Sequence, residues 1–341
     1  MGAAGPHPLI PLPRAGDFII LRPMSLSDTI FPDSLSPAWV GREDGPSPQH
    51  SLWFTTITPL PEPSAADPGA ALLGFASDEG VRRNHGRPGA VEGPDAIREM
   101  LGWLAVHDEH HRYDAGTVHV DDRDLEGAHD QLAGAVARLI GAGHLPVVLG
   151  GGHELGIGSH RGLRRAMGDR QAPAILNLDA HLDLREMSQA TSGTPFRQAA
   201  EEFGADFPYT VLGVSMADNT RFLFESAAEL GARYVTDDEL TAMSPAEAAD
   251  LALSTVADRE AIHLSIDLDV LSASLTPGVS SPSAVGVPLP QIRAICLALA
   301  QSGKLRLVDV AELNPSLDVD KRTARVAARL IHEIAQAHLA V

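Results

Sequence analysis

The sequence predicts an α/β fold: one mainly parallel sheet of about eight strands with helices on both faces. Two observations carry that expectation. From Ala70 onward short apolar runs alternate with amphipathic stretches, the texture that βαβ units require. A chain of 341 residues that is 44% hydrophobic can also bury the core of one large domain or two modest ones.

Residues 1–68 come first and differ from the rest, holding 13 of the 25 prolines. Proline removes a backbone donor and fixes φ, so this stretch reads as an extended arm with short pieces of order, packed on or extended from a body at 69–341. Strands are then expected at 70–76, near 117–120, and at 145–150, 174–179, 209–215, 233–236, 261–269 and 305–313. Covering helices are expected in PDAIREMLGWLAV, DLEGAHDQLAGAVARLI and KRTARVAARLIHEIAQAHL, where apolar residues recur three and four apart. In such sheets the site lies at the carboxyl ends of the strands.

Composition narrows the function. Lys plus Arg is 26 and Asp plus Glu is 45, a net charge of −19 that repels nucleic acid and anionic membranes. The single cysteine, Cys296, excludes an internal disulfide framework and suits a reducing cytoplasm. No run reaches the length of a membrane span, and the first residues read neither as a signal peptide nor as a myristoylation site.

Three strand ends carry the chemistry. In DAHLDLR an extended backbone would put Asp179, His181 and Asp183 on one face, and SIDLD would do the same for Asp267 and Asp269. In VVLGGGHE a strand runs into three glycines and then His153, and the glycines let the backbone bend that ring over the strand ends. Each stretch alone also fits an ordinary strand end or turn. Together they supply four carboxylates and two imidazoles, too many for a four-coordinate zinc site. They suit two divalent cations about 3.5–4 Å apart that share a water. Oxygen-rich ligation without thiolate favours two Mn2+ per subunit and leaves zinc, cobalt and iron open.

The motifs GGGHE, DAHLD and SIDLDVL, in this order, resemble the arginase–agmatinase (ureohydrolase) family, from roughly Gly74 to VAELNPSLD. The resemblance implies a three-layer arginase-like fold and a homo-oligomer. One metal would be held by His153, Asp179, Asp183 and Asp267, the other by His181, Asp179, Asp267 and Asp269. It also implies that a shared hydroxide attacks an amidine or guanidine carbon, that Asp183 relays its proton, and that Glu312 holds the amidine. Arginases carry a proton-shuttling histidine where this chain has Phe196, which speaks against arginase activity. The stretches SGTPFRQ, GVRRNHGRPGAVEGPDAIRE and WVGRED instead resemble the branch that hydrolyses N-formimidoyl-L-glutamate to L-glutamate and formamide.

That substrate carries a cationic amidine and two carboxylates, so cations are expected opposite Glu312. Arg197 and Arg185 are the first choices, with Arg82, Arg83 and Arg87 as further candidates, at least two of the five serving plain salt bridges. Asn84, Ser192 and Asn219 are expected to bind the rest of the substrate. Agmatine or a guanidino acid cleaved to urea is the alternative substrate class, and a non-catalytic metal-binding relative is the second alternative. HDEHH (107–111) lacks a metal-site spacing and reads as solvated surface, His85 as a loop residue, and Trp39, Trp53 and Trp103 as packing.

Overall fold

In the computed structural model, which describes residues 30–204 and 207–341, nine strands form one fully parallel sheet. They are β1 Thr58–Pro59, β2 Ala70–Ala76, β3 Arg112–His119, β4 Leu145–Gly150, β5 Ala174–Leu178, β6 Tyr209–Val214, β7 Arg233–Thr236, β8 Ile262–Asp267 and β9 Leu305–Ala311. Their order across the sheet is β1-β3-β2-β4-β9-β8-β5-β6-β7. The expected strands are all present. The ninth lies in the proline-rich arm, where Pro59 is tolerated because β1 is an edge strand of two residues.

Strand side chains alternate between two cores. Leu72 of β2, Val147 of β4 and Leu264 of β8 face the helices Gly93–Gly102, Pro245–Thr255, Leu289–Gln301 and Arg322–Leu339. Leu73, Val148 and Ile175 face Leu125–Gly141, Leu155–Met167, Pro195–Phe203 and Arg221–Leu230. Both faces are therefore dry, which is why the strands read as near-continuous apolar runs. No helix among the described residues is long and apolar enough to cross a membrane.

Several boundaries differ from expectation. Strand β3 begins at Arg112, because Arg112 and Asp114, which look unsuited to a buried strand, are paired with Asp108 and Arg98. The helix after residue 93 stops at Gly102, and Trp103 beyond it is half exposed. β5 ends at Leu178 and β8 at Asp267, so the acidic motifs lie mostly on turns that follow the strands.

Of residues 1–68, which the sequence reads as an arm, Trp39, Trp53, Ile57 and Leu60 are buried against the rest of the chain, while 1–29 lie outside the described residues. Trp39 stacks on Trp53 at 6.4 Å and donates from Nε1 to Asp114 at 2.8 Å. Asp114 also accepts from Ser36 N at 3.2 Å and pairs with Arg98 at 3.0 Å. Both Arg98 and Asp114 are fully buried. Asp114→Ala would leave the buried Arg98 with only the exposed Asp95 as counter-charge and strand the Trp39 Nε1–H, so it is expected to cost about 3–5 kcal/mol in urea unfolding.

His129, buried beneath Phe75, supplies an acid-sensitivity test. Burial, helped by Arg161, pushes its pKa down to about 3 from an ordinary 6.5. Above 6.5 the ring is neutral in folded and unfolded chains alike. As pH falls from 6.5 toward about 3, only the unfolded chain takes up the proton, so stability declines through that window. In urea melts across it, His129→Gln should decline less steeply than wild type.

Candidate metal centre and substrate cleft

Four neighbouring strands, β4, β9, β8 and β5, deliver the candidate residues at their carboxyl ends. β4 runs into Gly151 and Gly152, whose amides donate to Phe75 O and Ser77 O at 3.0 Å each. A Cβ on Gly151 would meet Ser77 O at 2.4 Å, so only glycine permits this approach. His153 then stands over the strand ends, 1% exposed.

Its Nδ1 lies 3.2 Å from Asp179, 3.0 Å from Asp183 and 3.2 Å from Asp267. His181 Nδ1 lies 3.0 Å from Asp269 and 3.5 Å from Asp179. Two groups have ligand atoms close enough to share an ion: His153, Asp179 and Asp183, and Asp179, His181 and Asp269. Asp179 belongs to both, while Asp267 adjoins the first through His153.

The convergence does not come from strand alternation. Asp183 reaches the cluster with φ +50, a left-handed backbone that side chains other than glycine rarely adopt. Asp269 arrives on a short helical turn, its amide donating to Asp267 at 2.8 Å. Asn177 Nδ2 and His181 N fix the Asp179 carboxylate at 2.9 and 2.6 Å. Asn219 braces the same turn, bonding Leu182 N, Ala180 O and Ser215 O at 2.9–3.0 Å. That bracing replaces the substrate contact expected of Asn219, since its amide is spent on backbone and does not line the cleft.

The donor set fits cations. Burial alone would lower the pKa of both histidines, yet the surrounding carboxylates push His153 and His181 well above the usual value. Burial and neighbouring carboxylates drive Asp267 well up, and Asp269 to about 6. His153 Nδ1, facing three carboxylates, makes no hydrogen bond of good geometry. A site that draws in protons this strongly and leaves an imidazole nitrogen free of hydrogen bonds has the chemistry of a metal centre.

A cleft of about 380 Å³ opens over the cluster. Glu312 lines it with φ +69, its Oε1 accepting from His153 N at 2.9 Å. Burial, reinforced by Glu154, pushes its pKa up to about 8. On another wall Asn84 Nδ2 donates to Ser192 Oγ at 3.1 Å. Arg185 is exposed at this cleft, lies across Gly193, and has no side-chain partner among the described residues.

The other four candidate arginines are committed elsewhere. Arg197 pairs with Glu201 at 2.7 Å and Glu186 at 3.9 Å and does not line the cleft, which corrects its expected role. Arg82 pairs with Glu79; Arg83 ties Glu79, Glu126 and two backbone carbonyls; Arg87 donates to Val279 O and Ser280 O. Phe196, where arginases have their histidine, is fully buried, edge-on to His153 at 5.4 Å and stacked on Tyr209 at 4.6 Å. Sequence reasoning missed Ser280 and Ser281, which line the cleft from a Ser/Pro/Gly loop with no distinguishing signal, and set aside His85, which also lines it. HDEHH is surface, with Asp108 bound to Arg112.

Comparison with known proteins agrees with this geometry. The family model described as the arginase family matches residues 68–336. A formimidoylglutamase of Corynebacterium efficiens is 60% identical over 92% of this chain and 99% of its own length. One from Nocardia farcinica is 49% identical over 90% and 98%. The crystal structure of Trypanosoma cruzi formiminoglutamase with Mn2+2 superposes with a TM-score of 0.73 at 28% identity, covering 80% of this chain and 93% of that one. By motif, fold and match over most of its length, the chain belongs to the arginase family.

Proposed function

We propose that the chain is a binuclear-manganese hydrolase that cleaves N-formimidoyl-L-glutamate to L-glutamate and formamide. One observation carries the substrate: the cleft that holds Glu312 and the carboxylate–imidazole cluster also holds one uncommitted guanidinium, Arg185. An amidine cation and a carboxylate on one small molecule match that polarity. The names of the relatives at 60% and 49% identity support the same reading.

His153, Asp179, Asp183 and Asp267 would hold one cation, and Asp179, His181, Asp267 and Asp269 the other. When bound, the pair supplies a water acidic enough to act as nucleophile near neutral pH. Glu312 receives the amidine N–H groups, and the arriving positive charge reverses the upward push of burial so that its carboxylate ionises. Held by His153 N, that carboxylate keeps the formimidoyl carbon over the cluster. Asp183 takes the proton of the attacking water, and Asp183 or a water returns a proton to the departing glutamate nitrogen. Arg185, Asn84 and Ser192 receive the amino-acid end.

In the same reading residues 1–68 are an arm on a catalytic body at 69–341, a division supported by the family match beginning at 68. Cytoplasmic location and self-association are read from the lone buried cysteine and the family resemblance respectively.

Three outcomes test the proposal. Manganese-loaded protein given formimidoylglutamate, agmatine and arginine should release formamide from the first. Urea from either of the others would replace this reading with the guanidine-cleaving one, and no turnover at all would favour a non-catalytic relative. Arg185→Ala should raise KM for formimidoylglutamate about 10-fold or more with kcat little changed, as loss of a charged hydrogen bond predicts; an unchanged KM would remove Arg185 from the site. Asp267→Asn relieves repulsion within the cluster, so in chelator it should raise the urea midpoint while abolishing the gain in Tm that manganese gives wild type.

A further inference from the structure

Behind His153 runs a chain of buried polar groups that the reaction above leaves unused. His153 Nε2 is 2.9 Å from Ser265 Oγ, and Ser265 Oγ is 2.5 Å from Asp309 Oδ1. Asp309 Oδ2 is 2.7 Å from His263 Nε2. Ser265, Asp309 and His263 are each 0% exposed. The register of β8 against β9 sets Ser265 directly opposite Asp309, and His160 stacks on the far ring at 5.7 Å.

The direction of these hydrogen bonds follows from a proton count. A carboxylate only accepts, so the single Ser265 hydroxyl proton goes to Asp309 and the His263 Nε2–H goes to its other oxygen. Ser265 Oγ is left to accept, so His153 must carry its proton on Nε2. That makes Nδ1, the nitrogen facing Asp179, Asp183 and Asp267, the one that can offer its lone pair to a cation. Among the described residues His181 has no equivalent: its Nε2 meets only Ser281 Oγ, exposed and 3.4 Å away.

We propose that Asp309, anchored by His263 and acting through Ser265, is a positioning residue that fixes the tautomer and orientation of His153 and so sets the affinity of the cation on that side of the cluster. The inference rests on the reading of His153 as a metal ligand. It adds that the two cations are held unequally, one by a buried relay and the other without one.

The test is manganese binding to the full chain, followed by calorimetry and by the electron paramagnetic resonance of one-ion and two-ion forms. Asp309→Asn and Ser265→Ala should each weaken one of the two manganese equilibria about 10- to 100-fold and spare the other. Because Asp309 acts through Ser265, the double variant should be no weaker than the worse single one, and saturating manganese should restore kcat. Unchanged affinities, equal loss at both ions, or additive losses would overturn the relay. A wild-type chain that binds no manganese would instead overturn the metal reading, and the relay with it. One measurement needs no variant: in zinc-loaded wild type with 15N-labelled histidine, His153 should show an exchange-protected Nε2–H, and an Nδ1–H there would sink the proposal.

Discussion

Charge crowding at the ends of four strands is the constraint around which the rest of the molecule is arranged. Asp179, Asp183, Asp267 and Asp269 sit against two imidazoles with almost no access to water. Left to themselves, such carboxylates repel one another and lose hydration, which is why Asp267 is driven so far above its usual range. Two divalent cations would offset that repulsion directly. Burial that is costly in the metal-free protein would thus favour cation binding.

Holding the groups together takes a rigid frame. The parallel sheet has a dry core on both faces, and its central strands set the height of each turn. Within the turns the bracing is polar and local: Asn177 and Asn219 fix the segment after β5, and the amide of Asp269 fixes Asp267. Asp183 and Glu312, the two residues given chemical roles beyond ligation, both have left-handed backbones. Strain of that kind persists only where the surroundings over-determine the conformation. Here Glu312 N is held by Gly151 O at 2.8 Å, and the Glu312 carboxylate by the amide of His153.

Charge placement also separates structure from recognition. In a chain of net charge −19, almost every arginine near the cleft is absorbed by an acidic neighbour or a carbonyl. Arg83 clamps three segments together, and Arg98 anchors the described part of the arm through Asp114. Arg185 stands apart because the backbone at Gly193 leaves room for its side chain to lie across the cleft wall. An uncommitted cation beside so many carboxylates is well suited to an anionic group brought by a ligand.

Eight of the nine strands, three of the covering helices and the six residues of the cluster were legible in the sequence because they are local. Apolar periodicity marks each element, and DAHLD, SIDLD and GGGHE each occupy only a few consecutive positions. The buried charges of β3 hid its first half, because their partners Arg98 and Asp108 become evident only on folding. The reason the cluster converges was not legible either, since turns and a positive φ bring Asp183 and Asp269 inward where alternation along a strand was expected. Composition and spacing by themselves pointed to an α/β protein with a metal centre, and the resemblance of three short motifs pointed to the arginase family, which the family match bears out. Only the tertiary structure decided that Arg185 is the cleft arginine left uncommitted among the described residues, that Asn219 braces a turn, and that Ser265, Asp309 and His263 stand behind His153. Those assignments depend on which groups distant in sequence come within hydrogen-bonding reach, and no short stretch of the chain contains that information.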